Sequence, residues 1–166
     1  MSHVVDGQCN VETLEEAREG IREFPNCELV EGQRTFKWFD RWVNDYHDPE
    51  LAAAVRGFDP KEFGKCEHAI RLTDDSHAYE IGLVKRPDGQ PGYSLLYDSY
   101  SERGRALEKR FGKGLSILKE RLLQNTGIKE LKKQGFKFTT SRRADGALVI
   151  EGVRNKKSTL KLTRGR

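Results

Sequence analysis

The sequence predicts an α+β protein: a mostly antiparallel sheet with two main helices packed on one face. Two segments alternate apolar and polar residues around turn-rich stretches, as antiparallel hairpins do. Two other segments repeat apolar residues at spacings of three and four, as amphipathic helices do. Strands also follow strands along most of the chain, and this order favours the α+β class.

The chain has 166 residues, enough for one domain with a hydrophobic core. We predict a single domain over residues 1–153 and a basic tail over residues 154–166. Residues 159–162 of the tail suit an added edge strand, and disorder of the tail is the alternative. The acidic, turn-rich segment 40–65 is predicted to be an insertion on the surface of the domain.

The first elements are predicted to be a strand, a helix and two short strands. Residues 2–9 predict the first strand, and Thr13 with Glu16 matches a capping box at the start of the helix. The apolar face of the helix consists of Val11, Leu14, Ala17, Ile21 and Phe24. Residues 27–30 and 34–39 predict the two strands that follow.

The middle of the chain is the clearest β region. Residues 67–72 predict one strand, and residues 78–98 predict a hairpin because residues 86–92 between its arms are dense in turn formers. The apolar members of the alternation before the turn are Tyr79, Ile81 and Leu83.

A late apolar stripe predicts a long helix, and a second hairpin follows it. The stripe consists of Leu107, Phe111, Leu115, Leu118 and Leu122. Two glycines interrupt the stripe, so we predict a helix over residues 113–134. The Asp-Gly pair at residues 145–146 is a strong turn signal, and residues 136–140 and 148–153 on either side of it predict the hairpin.

The composition points to a cytoplasmic protein without a membrane partner. No apolar run approaches the ~20 residues that span a bilayer. The first residues lack the basic and apolar regions of a signal peptide. Cys9, Cys27 and Cys66 are irregularly spaced, which favours reduced thiols over a disulfide framework.

Three sequence words carry a family resemblance: CEHAIR at residues 66–71, YEIGLV at 79–84 and GYSLLYD at 92–98. With the strand–helix start, they resemble the hypothetical chloroplast reading frame family, number thirty-five, of algal plastids and cyanobacteria, which has bacterial and phage relatives. The resemblance spans residues 1–39 and 66–153. It implies a fold and widens the expected location to a plastid stroma or a phage-infected host cytoplasm. It implies no reaction.

Charge is divided between the two ends of the chain. Residues 1–100 carry 11 Lys and Arg against 20 Asp and Glu, and residues 101–166 carry 19 against 6. A basic surface attracts phosphate backbones and other polyanions. The sequence therefore predicts that the C-terminal third binds nucleic acid or another polyanion.

The predicted contact residues are the basic side chains of that third, with nearby Tyr97, Tyr100 and Phe111 as candidates for stacking on bases. They are Arg103, Arg105, Lys109, Arg110, Lys113, Arg142, Arg143, Arg154, Lys156, Lys157, Lys161, Arg164 and Arg166. Two alternatives remain open. The basic end is a solvated surface with a solubilising tail, or it neutralises the acidic front half of the same chain.

The sequence gives only weak evidence for a catalytic or metal-binding site. Cys66, His68 and His77 are the only grouping with metal-ligand character, but their spacing matches no established zinc pattern. Cys66 with a histidine and Asp98 is a possible catalytic set, and no nucleophile motif flanks it. We therefore expect a protein without a catalytic site, metal or cofactor, and keep an enzyme at these residues as the less favoured hypothesis.

The aromatic run at residues 36–46 suggests a second kind of function. Its first members are predicted to be core residues. Trp42 and Tyr46 lie in the acidic insertion, and exposed aromatics are typical anchors of protein interfaces. A protein-interaction adaptor that uses Trp42 and Tyr46 is therefore the alternative to nucleic-acid binding.

Overall fold

A computed structural model describes residues 4–39, 58–59 and 62–154 of the chain. In these ranges the secondary-structure elements, in chain order, are β1 (Val4–Val11), α1 (Leu14–Ile21), β2 (Cys27–Glu31), β3 (His68–Leu72), β4 (Ile81–Lys85), β5 (Tyr93–Asp98), α2 (Ser101–Phe111), a 3-10 turn (Lys113–Leu115), α3 (Ser116–Lys133), β6 (Phe136–Arg142) and β7 (Leu148–Arg154). The chain forms two compact units, an N-terminal unit of residues 1–122 and a C-terminal unit of residues 123–166, and the division falls inside α3.

The N-terminal unit contains a five-stranded sheet of order β1-β5-β4-β3-β2. Every neighbouring pair of these strands is antiparallel. The predicted α+β class with a mostly antiparallel sheet is therefore confirmed. The hairpin predicted over residues 78–98 is present as β4 and β5, which pair from Gly82 with Leu96 to Lys85 with Tyr93.

One face of this sheet carries the helices. Side chains alternate between the faces of a strand, and Ile81 and Leu83 of β4 point to the face where the helices pack. The helical side of the same core contains Ala17, Ile21, Leu107, Phe111, Leu115, Leu118 and Leu122. The late apolar stripe was thus correctly predicted to be buried.

The other face of the sheet carries a second group of buried side chains. Phe36, Phe63 and Cys66 pack there against Ala69 of β3 and Leu96 of β5. Gly82 makes room for this layer, because a Cβ at that position would lie under 3.0 Å from the Phe36 ring. Within the described residues, this second, smaller apolar core takes no side chain from α1, α2 or α3.

The strand predicted over residues 34–39 is wrong. In the described part of the chain, this segment forms only an isolated bridge between Thr35 and Lys65. Buried carboxylates hold it across the sheet: Glu80 accepts the Lys37 N–H at 2.9 Å, and Asp98 accepts the Phe39 N–H at 3.0 Å. These side-chain partners replace the strand ladder that the local pattern predicted.

The first helix begins later than its apolar stripe. Val11 is buried but ends β1 instead of belonging to the helix. Thr13 caps α1, since its hydroxyl accepts the Glu16 N–H at 3.2 Å. The Glu16 carboxylate accepts the Glu12 N–H at 2.9 Å, one residue before the position that a standard capping box uses. The cap predicted at Thr13 is confirmed in this modified form.

The late helix is interrupted where its glycines predicted, but a full helix also precedes the interruption. Helix α2 (Ser101–Phe111) was not predicted as a separate element. Gly112 and Gly114 have φ angles of +83° and +62°, which glycine adopts without strain. The Glu108 carboxylate stabilises the turn by accepting the Tyr97 hydroxyl at 2.9 Å and the Gly114 N–H at 3.2 Å.

The C-terminal unit combines the end of α3 with the β6–β7 hairpin. The strands pair from Phe136 with Arg154 to Arg142 with Leu148. The hairpin predicted around residues 145–146 is thus confirmed. Gly152 lies where a Cβ would be under 3.0 Å from Leu131, so the hairpin packs closely on the helix of its own unit.

Candidate nucleic-acid interface

Helix α2 carries four of the predicted contact residues, and they line two different cavities. Arg105, Lys109 and Arg110 line one groove, and Arg103 lines another cavity. Lys113 lies in the turn that follows. The structure therefore divides a cluster that is continuous in the sequence.

The side with Arg105 and Lys109 faces acidic residues. A groove of about 510 Å³ is lined there by Leu72, Asp74, Asp75, Glu102, Arg105, Ala106, Lys109 and Arg110. Arg110 pairs with Asp74 at 2.7 Å and also donates to the Pro25 carbonyl. The hydrogen bond from Arg110 lowers the pKa of the Asp74 carboxyl below its ordinary value. Arg110 therefore neutralises an acidic residue from the front half of the same chain, which is one of the alternatives that the sequence left open.

Arg103 instead lines a second cavity, which has a volume of about 540 Å³. We call this cavity the Trp38 pocket. Its lining residues are Thr35, Phe36, Lys37, Trp38, Phe63, Gly64, Lys65, Ser76, His77, Tyr79 and Arg103. Among these described residues none carries a carboxylate. The pocket combines three cations with four aromatic side chains in a part of the chain whose overall charge is negative.

The pocket forms because two irregular segments are held side by side. The Phe36 N–H donates to the Gly64 carbonyl at 2.9 Å, and the Cys66 N–H donates to the Arg34 carbonyl at 2.9 Å. Glu80 holds the first segment from below, since its carboxylate also accepts Nε2 of Gln33 at 2.7 Å. A buried acceptor with two donors keeps the neighbouring backbone in one position.

Trp38 is half-buried at the wall of the pocket. Its ring meets Phe63 edge to face, with 6.1 Å between centroids and an interplanar angle of 78°. Gly64 has a φ of +83°, and a Cβ there would lie under 3.0 Å from the indole. Glycine at this position therefore lets the indole lie directly against the backbone.

Both lysines of the pocket already have polar partners. Lys37 Nζ donates to the Ser76 carbonyl at 3.2 Å, and Lys65 pairs with Glu62 at 3.0 Å. Three pocket residues were not predicted as site residues: Lys37, Lys65 and Trp38. They lie in the acidic half of the chain, two of them in a predicted strand. Only the alternation of cations with aromatics at residues 36–38 was a usable signal.

The basic residues of the hairpin lie at its two ends. Arg142 and Arg143 are exposed near the turn, where Arg142 donates to the Gly146 carbonyl at 3.1 Å and Arg143 lies 3.9 Å from Asp145. Arg154 pairs with Phe136 at the opposite end. Six residues of strand separate the two ends, which is about 20 Å at the usual rise.

The remaining predicted residues fall in two groups. The tail residues Lys156, Lys157, Lys161, Arg164 and Arg166, and the insertion residues Trp42 and Tyr46, lie outside the described residues. The predicted stacking role of Tyr97 and Phe111 is wrong, because both side chains are fully buried in the core. Tyr100 is exposed, and its ring lies 5.6 Å from that of Phe39.

Cys66, His68 and His77 do not form a metal or catalytic centre in the described part of the chain. No group of three His, Cys, Asp or Glu side chains there could hold a metal ion. His68 Nδ1 accepts the Gly32 N–H at 2.9 Å, and its Nε2 lies 3.3 Å from the Tyr93 hydroxyl. Cys66 donates its thiol to the Gln33 carbonyl at 3.1 Å, and His77 lines the Trp38 pocket.

Cys66 is held in its thiol form. Desolvation by burial, with Glu80 and Glu67 nearby, raises its pKa from 9.0 to about 12. At pH 8 we expect iodoacetamide to label Cys66 on the order of 1,000-fold more slowly in the native protein than in urea, because the thiolate is the nucleophile. Peptide-resolved mass spectrometry measures both rates. A native rate within about tenfold of the unfolded rate would contradict the assignment.

Comparison with known proteins identifies no relative from which a function could be carried over. No family model matches the chain, and no curated protein and no solved structure matches it. In the described residues, none of the helices has the length and apolar character needed to cross a membrane. The structure defines an α+β protein with a cationic, aromatic pocket in one unit and a basic helix–hairpin in the other.

Proposed function

We propose that this protein is a non-catalytic accessory protein that binds nucleic acid through its basic C-terminal third. The observation that carries the proposal is the distribution of charge between the two units. Residues 1–122 carry 18 Lys and Arg against 23 Asp and Glu, whereas residues 123–166 carry 12 against 3. The boundary of the compact unit thus gives a net charge of −5 on one side and +9 on the other.

The shape of the C-terminal unit supports nucleic acid as the polyanion. A two-stranded antiparallel ribbon fits the major groove of a duplex. The residues Lys137, Thr139 and Ser141 of β6 are exposed on one face of the strand and offer hydrogen-bond donors. Arg142 and Arg143 extend the same strand toward the turn, where cations can contact phosphates.

The test is fluorescence anisotropy of labelled single-stranded RNA, single-stranded DNA and duplex DNA with the full-length protein. We expect the double variant Arg142→Glu/Arg143→Glu to bind at least about tenfold more weakly at physiological salt, since repulsion replaces two phosphate contacts. We also expect the slope of log affinity against log salt to fall by roughly 0.7 to 0.9 for each phosphate that is no longer neutralised.

The matched control is Arg22→Glu/Lys85→Glu, which changes the net charge equally at exposed residues of the N-terminal unit. We expect this control to bind within about twofold of the unmodified protein once salt screens distant charges. Equal losses in both double variants would mean that binding follows net charge alone and would refute an interface on the hairpin. A preference for one of the three ligands identifies the target.

Three sequence predictions stay predictions. The adaptor hypothesis depends on Trp42 and Tyr46, outside the described residues. The resemblance to the chloroplast reading frame family is tested by none of the comparisons. A cytoplasmic location, or a plastid stroma or infected host cytoplasm, is the setting in which we propose that the protein meets nucleic acid.

A further inference from the structure

We propose that the Trp38 pocket is a separate binding site for a nucleotide, recognised as a planar base that carries a phosphate. The site lies in the N-terminal unit and goes beyond the proposed function, because it needs neither the hairpin nor the tail. Of the basic residues predicted from the sequence, it uses only Arg103. Its volume of about 540 Å³ falls in the range of about 300–1,000 Å³ that small-molecule sites occupy.

The side chains proposed to bind the phosphate are Lys37 and Arg103, which both line the pocket. Both side chains are exposed, and in the described part of the chain no carboxylate forms an ion pair with either. Lys37 reaches across to the Ser76 carbonyl at 3.2 Å, which places its ammonium over the same opening. Lys65 pairs with Glu62 at 3.0 Å, so its charge is balanced and it is not one of the proposed phosphate contacts. A guanidinium beside an ammonium is a typical phosphate anchor.

The buried carboxylate of Glu80 is not among the residues that line the pocket. It accepts hydrogen bonds from the Lys37 N–H at 2.9 Å and from the Gln33 side chain at 2.7 Å. The effect is to fix the backbone that carries Lys37 and Trp38, so the ligand-facing groups are already in position.

The side chains proposed to bind the base are the aromatic residues that line the pocket. Phe36 and Tyr79 are almost fully buried and form the floor, whereas Trp38 is half-buried and offers ring surface to a ligand. The edge-to-face contact with Phe63 and the close approach to Gly64 hold the indole in one orientation. A fixed aromatic ring next to cations is the arrangement on which nucleobases stack in single-stranded nucleic-acid sites. A bare anion would leave this surface unused.

Trp38 is also the reporter for the test. The chain has two tryptophans, so the full-length Trp42→Phe variant has Trp38 as its single indole. Its fluorescence is titrated with adenosine monophosphate, with adenosine and with inorganic phosphate. We expect saturable quenching by the monophosphate, and at least about tenfold weaker binding of the other two probes, because each lacks one of the two recognised groups. Calorimetry of the unmodified full-length protein with the same probes guards against an effect of the Trp42 substitution.

The decisive variants are Arg103→Ala and Arg105→Ala. Both side chains lie on α2, but Arg105 faces the acidic groove and Arg103 the Trp38 pocket. We expect Arg103→Ala to weaken binding of the monophosphate about tenfold, as loss of an ionic hydrogen bond does. We expect Arg105→Ala to change it by less than about twofold.

Several results would overturn the site. They are equal binding of adenosine or phosphate alone, equal losses in the two arginine variants, and no saturation up to about 1 mM nucleotide. A short oligoadenylate strand distinguishes the source of the nucleotide. Competition at Trp38 means that the pocket takes a nucleotide within a strand, and no competition means that it takes the free molecule. Because the hairpin variants are measured separately, failure here leaves the proposed function standing, and the reverse also holds.

Discussion

The substitution Gly104→Ala is expected to lower the free energy of unfolding by about 3 kcal/mol or more. In the middle of a helix this change normally stabilises, by about 1 kcal/mol, because alanine has the higher helix propensity. Here a Cβ would lie under 3.0 Å from backbone atoms of Asp98 and Ser99. Backbone cannot rotate away as a side chain does, so α2 must move.

Movement of α2 is costly because of what the helix buries. Leu107 and Phe111 on the same helix are 0 % exposed and belong to the helix-face core. A shift that relieves Gly104 therefore opens space around both side chains, and interiors tolerate such space poorly. The cost of the clash exceeds the gain in helix propensity, and this difference decides the sign of the effect.

The measurement is urea unfolding followed by circular dichroism, with Gly127→Ala as the matched control. Gly127 is likewise a helical glycine, in the interior of α3, but its nearest contact for a new Cβ is the end of the flexible Ile150 side chain at 3.3 Å. We expect the control to stay within about 1 kcal/mol of the unmodified protein. A stable Gly104→Ala variant would show that α2 does not pack against the end of β5 as described.

The second large effect is expected for Asp98→Ala, which should lower the free energy of unfolding by about 3–5 kcal/mol. Asp98 is fully buried, and its two carboxylate oxygens accept the Phe39 N–H at 3.0 Å and the Tyr100 N–H at 2.8 Å. Removing the carboxylate leaves two partly buried N–H donors without this acceptor. It also releases the end of the segment that carries Lys37 and Trp38.

The control for Asp98 is Asp88→Ala, in which an exposed aspartate accepts the Gln90 N–H at 3.0 Å and pairs with Arg86. Water can replace the Asp88 carboxylate at both groups, so we expect the free energy of unfolding to fall by less than about 1 kcal/mol. Urea unfolding measures both variants. Asp98→Asn should fall between them, because the amide keeps one acceptor oxygen but turns an NH₂ toward the second N–H donor. Equal stability of Asp98→Ala and Asp88→Ala would contradict the role of Asp98 in holding this segment.

Local sequence patterns predicted the structure correctly where residues close in sequence determine it. The alternation around residues 86–92 and the turn at 145–146 predicted two hairpins, and both are present. The capping signal at Thr13 and the apolar stripe from Leu107 to Leu122 were correct for the same reason. Each depends on contacts within a few residues, which the period of the pattern records directly.

Local sequence patterns predicted the structure poorly where contacts with residues distant in sequence determine it. Residues 34–39 have the pattern of a strand, yet Glu80 and Asp98 bind their N–H groups, so the segment crosses the sheet instead of joining it. The break at Gly112 was visible, but α2 before it was not predicted as a separate helix, and its Leu107 and Phe111 are buried among residues distant in sequence. The charge count likewise grouped Arg103 with Arg105, although residues two apart on a helix point to nearly opposite sides and these two line different cavities.

By itself, the sequence determined the class of fold, the two hairpins, the buried stripe and the concentration of positive charge in the last third. These follow from periodicity and composition, which a single chain carries in its order. The tertiary structure alone decided the Trp38 pocket, since its walls come from residues near 36, 64, 77 and 103. Only folding brings such distant segments together, and buried carboxylates whose partners are distant in sequence hold them there.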